Sequence, residues 1–118
     1  MNTDIALTNQ RKQSREKELD RIVNVLVSQY RPEKIILFGS LITGRLHEWS
    51  DIDLLIIKKT GERPLERKLE AYSLLGDYSE PLDLLIYTPK EVEMLIREES
   101  FFISNILTQG KILYEKDN

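Results

Sequence analysis

Three short apolar runs constrain this 118-residue chain more than any other feature it has: KIILF at 34–38, IDLLIIK at 52–58 and PLDLLIY at 81–87. Each is rich in β-formers and flanked by turn residues, which favours buried strands; Gly39-Ser40 stops the first. Around them the spacing turns helical. Leu19, Ile22, Val23, Leu26, Val27 and Tyr30 make one apolar stripe on a charged helix running from Ser14. Arg31-Pro32 ends it, because the residue before a proline is pushed out of the helical region.

Pro64 suits a first helical turn, and Leu65, Leu69 and Tyr72 predict a helix closing near Gly76. Thr88, Pro89 and Glu91 supply an N-cap, a first-turn proline and a capping-box glutamate. Val92, Leu95 and Ile96, then Phe102, Ile103, Ile106 and Leu107, continue a stripe that Glu99-Ser100 bends or breaks. Gly110 is a helix stop, and KILYE reads as a short closing strand. Strands alternating with helices imply a layered sheet-and-helix domain. The length suits one domain over 1–118, with residues 1–13 expected as a frayed lead-in.

Composition removes several function classes. With 17 basic and 20 acidic side chains the formal charge is −3, so no stable nucleic-acid binding is expected. No apolar run exceeds four residues, against the roughly 20 that span a bilayer. The leading MNTDIALTNQRKQSREKE lacks an apolar signal core, and the absence of cysteine excludes disulfides and thiolate metal sites. A cytoplasmic setting without a membrane is the expectation.

The chemistry lies where acids interrupt the apolar pattern. Asp51 and Asp53, two residues apart at the mouth of the second strand, share one face, roughly 7 Å apart along the backbone. Partly buried neighbouring anions are costly unless a cation sits between them. Asp83, embedded in the third run, reaches the same place if the third strand lies beside the second. Three carboxylates without cysteine describe a hard-cation site for Mg²⁺ or Mn²⁺. Taken singly, each acid also has a plain reading: a turn residue for Asp51, a solvent-facing one for Asp53, a strand-start ion pair for Asp83. The segment upstream, GSLITGRLHEWSDID, favours the chemical reading. Gly39 lets a phosphate approach the backbone, the Ser40 hydroxyl and helix-start N–H groups can donate to it, and Gly44 lets the chain turn back.

Gly39, Ser40, Asp51 and Asp53, followed by Asp83 on a third strand, resemble the signature of the DNA polymerase beta-type nucleotidyltransferases. More narrowly, the chain resembles the minimal nucleotidyltransferases of bacteria and archaea, small single domains of which many are antitoxins encoded beside a HEPN-domain ribonuclease toxin. The resemblance implies an α+β fold, a mixed β-sheet flanked by helices. It implies that Gly39 and Ser40 hold the β- and γ-phosphates of ATP, that Asp51, Asp53 and Asp83 bind two Mg²⁺ ions (or Mn²⁺), and that Asp83 is also the base. Gly44 belongs to the same nucleotide-binding turn. Arg45, one residue past it, is the candidate substitute for the basic residue that the family often carries just before that glycine.

The implied reaction is transfer of AMP from Mg-ATP to a hydroxyl, foremost a tyrosine of a HEPN toxin, within a hetero-oligomer. The alternatives are an antitoxin acting by contact alone and a small-molecule nucleotidyltransferase of the aminoglycoside type. His47 reads as a solvated loop residue and Trp49 as a loop anchor. Arg67-Lys68 reads as a solvated helix face beside Glu66 and Glu70, and Tyr72, Tyr78, Tyr87 and Tyr114 as core or rim aromatics.

Overall fold

A computed structural model describes residues 3–39 and 52–117. The first helix, α1, spans Thr3–Val25 and runs on into a π-helical turn, Leu26–Tyr30. The lead-in expected over 1–13 is therefore helical from Thr3. Nothing between Thr3 and Val25 interrupts a helix, since the stretch holds neither proline nor glycine. At the other end the Arg31 N–H donates to the Leu26 carbonyl at 2.9 Å, and Arg31 takes a left-handed conformation at φ 57°. Buried Pro32 follows, so the helix ends where the proline requires.

The three apolar runs form strands β1 (Lys34–Phe38), β2 (Ile52–Ile57) and β3 (Leu82–Tyr87), and the closing KILYE forms β4 (Lys111–Glu115). They make one mixed sheet in the order β3-β2-β1-β4. β1 is antiparallel to β2 and to β4, with a bulge between Ile35 and Ile36 on the β4 side. β2 and β3 are parallel, which requires a crossover. Helix α2 (Pro64–Leu75) supplies it. Helices α3 (Pro89–Arg97) and α4 (Phe101–Gln109) then lead into β4.

Alternate strand residues divide into two cores. Ile35, Leu37, Ile52, Leu54, Ile56, Leu84 and Ile86 pack with Ile22, Leu26 and Tyr30 of the first helical segment and with Ala71 and Leu75 of α2. Ile36, Leu55 and Ile57 pack on the opposite face against Val92 of α3 and Ile103 and Ile106 of α4. Burial on both faces is why the runs read as unbroken apolar stretches. Gly110 is required for close approach there: a Cβ would lie 2.5 Å from both the Ile106 carbonyl oxygen and Ile36 Cγ2.

Local capping follows the sequence closely. Thr88 accepts from the Glu91 N–H while the Glu91 carboxylate accepts from the Thr88 N–H, the expected capping box. The long C-terminal stripe is broken into two helices at Glu99, whose φ is 58°, and Ser100 caps the second. Helix α2 starts at Pro64 and closes at Gly76, as the spacing predicts, but the leucines that mark it do not face the core. Leu65 and Leu69 stay 68% and 61% exposed, and the helix turns Arg67, Ala71 and Leu75 inward. Arg67 is thus not part of a solvated face. Its guanidinium pairs with Glu91 at 2.7 Å and donates to the carbonyls of Glu62 and Ile86, so its buried charge is satisfied. Among the described residues, no helix is long and apolar enough to cross a membrane.

Candidate active site

Because β1 runs antiparallel to β2 and β3 parallel to it, the end of β1 and the starts of β2 and β3 meet at one end of the sheet. Asp53 lies there with Phe38 of β1 as its register partner on one side and Asp83 of β3 on the other. Neighbouring strands are about 4.8 Å apart, and in-register residues on them point to the same face. That face is the one carrying Leu55 and Ile57, beneath α3 and α4. Asp53 is the one position of β2 that is not fully buried, and Asp83 is exposed. The two acids therefore stand where the sheet emerges from its helical cover.

Gly39 closes in from the end of β1. Its φ is +86°, and a Cβ built on it would sit 2.4 Å from Asp53 Oδ2. Glycine suits the left-handed backbone, and a side chain there would also press on the Asp53 carboxylate. The structure so brings together Gly39, Asp53 and Asp83, three of the expected site residues. Ser40, Gly44, Arg45 and Asp51 lie outside the described residues, as do His47 and Trp49. Two in-register carboxylates repel one another unless positive charge lies between them. As hard oxygen donors flanked by a left-handed glycine turn, they suit a divalent cation. Among the described residues no third ligating side chain joins them.

The strand bearing Asp83 is held in place from the opposite face of the molecule. β3 is an edge strand, and the Tyr72 hydroxyl of α2 covers its free side. That hydroxyl donates to the Leu82 carbonyl and accepts from the Leu84 N–H, both at 3.0 Å. Burial pushes the Tyr72 phenol pKa up, and so favours the protonated form that can donate. The Tyr72 ring lies against Tyr78, 6.0 Å between centroids.

The turn leading into β3 is tied to α1. Arg21 donates to the carbonyls of Leu75 and Asp77 at 3.1 Å, and Arg15 lies 3.6 Å from Glu80. Glu18 accepts from the Ser79 N–H at 2.8 Å and the Ser79 hydroxyl at 2.6 Å. The Ser79 hydroxyl, then its N–H, and then Arg21 hold the Glu18 carboxyl down to about 2. Tyr72 read as a core or rim aromatic in the sequence. Its partners are ten and twelve residues away, so no local spacing marks it.

The surface beside the acids is aromatic. Phe38, across from Asp53, meets Phe102 of α4 edge-on, 6.0 Å between ring centroids. Phe102 is itself half exposed, and neighbouring Phe101 is 84% exposed.

Residues 20–118 match the family described as Polymerase beta, Nucleotidyltransferase. Two proteins of Methanocaldococcus jannaschii, both named as protein adenylyltransferases, are similar to this chain. MJ0604 is 33% identical over 102 residues, covering 84% of this chain and 97% of its own length. MJ1305 is 28% identical over 117 residues, covering 87% and 76%. Among solved structures, a toxin-antitoxin crystal structure with AMP-PNP shares the fold at a TM-score of 0.53. It is 24% identical and covers 83% of this chain and 73% of its own.

Proposed function

Because the chain belongs to the polymerase beta nucleotidyltransferase family, we propose that it transfers AMP from Mg-ATP to a hydroxyl of a partner toxin and so acts as the antitoxin. The observation that carries this reading is the register of the parallel pair, which sets Asp53 directly opposite Asp83 beside a left-handed glycine whose backbone closes in on Asp53. The acceptor oxygen forms a bond to the α-phosphorus as the bond from that phosphorus to the bridging oxygen breaks. Pyrophosphate leaves, and Asp83 takes the hydroxyl proton. Asp53 and Asp83, joined by Asp51, hold the divalent ions. When bound, such ions neutralise the triphosphate and lower the pKa of the attacking hydroxyl. Gly39 and Ser40 receive the β- and γ-phosphates, with Gly44 and Arg45 in the same turn.

A protein acceptor is supported by the names of both relatives. It is also supported by the aromatic surface running from Phe38 to Phe102 and Phe101, apolar area that would otherwise face water. The solved toxin-antitoxin neighbour supports a toxin as the partner. We take that partner to be a HEPN-type ribonuclease, its acceptor to be a tyrosine, and the reaction to proceed in the cytoplasm from one domain of this chain.

Co-purification with the protein encoded in the adjacent reading frame, incubation with ATP and Mg²⁺, and intact mass measurement test the reading. One or more AMP units added to the partner is the expected result. A tight complex that gains no mass under those conditions would mean neutralisation by contact alone.

A further inference from the structure

We propose that Tyr72 is a positioning residue for Asp83, its hydroxyl locking the two peptide groups that flank the Asp83 Cα and so aiming the carboxylate at Asp53. The inference deepens the proposed function and rests on the role given there to Asp83. The Leu82 carbonyl belongs to the peptide preceding the Asp83 Cα, and the Leu84 N–H to the peptide following it. Those two planes define φ and ψ of Asp83. Tyr72 Oη is hydrogen-bonded to both at 3.0 Å, donating to one and accepting from the other. On the opposite side the register with β2 holds the same strand, through Ile52, whose N–H donates to the Pro81 carbonyl at 2.8 Å. The direction of Cβ follows from the main chain, so a backbone clamped from both sides leaves the carboxylate little freedom to swing.

The anchor itself is firm. Tyr72 is half-buried and packs against the core shared by α1, α2 and the sheet, next to fully buried Ala71 on the same helix. Arg67, five residues earlier on α2, meets the Ile86 carbonyl of the same strand edge. Ile86 is three residues beyond Asp83, toward the end of β3 away from the acids. Both side chains satisfy an edge strand that would otherwise present open main-chain groups. Only the Tyr72 contact brackets a proposed catalytic residue.

Tyr72→Phe keeps the ring and removes the O–H. Transfer of label from α-labelled ATP to the co-purified adjacent-frame protein is expected to fall about tenfold in kcat, as slight misplacement of a reacting group does. KM for ATP is expected to stay within about twofold, since the clamp does not touch the nucleotide. Independently of activity, amide hydrogen exchange at Leu84 in the protein alone is expected to speed up about tenfold or more, with other β3 amides and the melting midpoint little changed. Wild-type kcat together with wild-type protection of Leu84 would overturn the proposal, as would a lowered melting midpoint with kcat intact, which marks a purely structural hydroxyl. Asp83→Asn is measured alongside. Full activity in Asp83→Asn would overturn the assignment of Asp83 and this proposal with it, whereas an inactive Asp83→Asn beside a fully active Tyr72→Phe would overturn only the role of Tyr72.

Discussion

The two faces of the sheet are built to different standards. Among the described residues, the face under α1 and α2 buries twelve apolar side chains in one cluster, against six on the face under α3 and α4. The fuller face also carries the polar ties, from Arg21, Glu18, Arg67 and Tyr72, that fasten loops and strand edge. The thinner face carries Asp53, Asp83 and exposed Phe101. A core that is complete on one side allows the other to hold repelling acids and uncovered aromatics, both of which cost stability.

The largest effect that can break this division is at the acids. Asp53→Asn is expected to lower transfer about a thousandfold or more while the melting midpoint holds or rises, because relieved repulsion offsets the lost contacts. Full divalent-dependent transfer in that variant would remove Asp53 from the site. On the fuller face, Leu54→Ala should cost about 3 kcal/mol in denaturant unfolding, as truncation of a fully buried leucine does. Leu69→Ala, on the outer face of α2, should stay within about 0.5 kcal/mol. Equal costs would mean that α2 is turned the other way.

Gly39→Ala sharpens the comparison, since it places a Cβ against Asp53 Oδ2 at a positive φ. A loss of about 1–3 kcal/mol in stability, with an additional drop in transfer, is expected. Phe101→Ser should weaken the partner complex by about 1–2 kcal/mol in titration calorimetry and leave the melting midpoint unchanged; an unaltered affinity would show that the partner docks elsewhere. The smallest effect is in pH. The Glu18 carboxyl is lowered from 4.5 to about 2 in the folded chain, so its contribution is whole above pH 4.5 and fades as pH falls toward 2. Screening by solvent near the loop holds that contribution to about 1 kcal/mol. Glu18→Gln should flatten the acid limb of stability by that amount in a pH series of thermal melts.

Much of this architecture was legible because it is local. Thr88 and Glu91 signal their helix within four residues, and Pro32 ends the first helical segment by excluding the residue before it from the helical region. In helix α2, Leu65 and Leu69 mark the helix but not its inward face, because the element that decides that face lies elsewhere in the chain. Arg67 turns inward because Glu91 and Ile86 wait there, and Tyr72 because Leu82 and Leu84 expose their polar groups. A residue's partner 10 to 24 positions away leaves no mark on helical periodicity.

The same division runs through the site. By itself the amino-acid sequence determined the strands, their buried character, the acids at the strand starts and the glycine after β1, because each depends on near neighbours and on a period of two. Only the tertiary structure decided that β3 lies parallel to β2 with Asp83 level with Asp53. A slip of one residue would turn Asp83 to the fuller face. Pairing between strands some 30 residues apart is set by the α2 crossover and by contacts along the free edge, which no stretch of sequence contains alone.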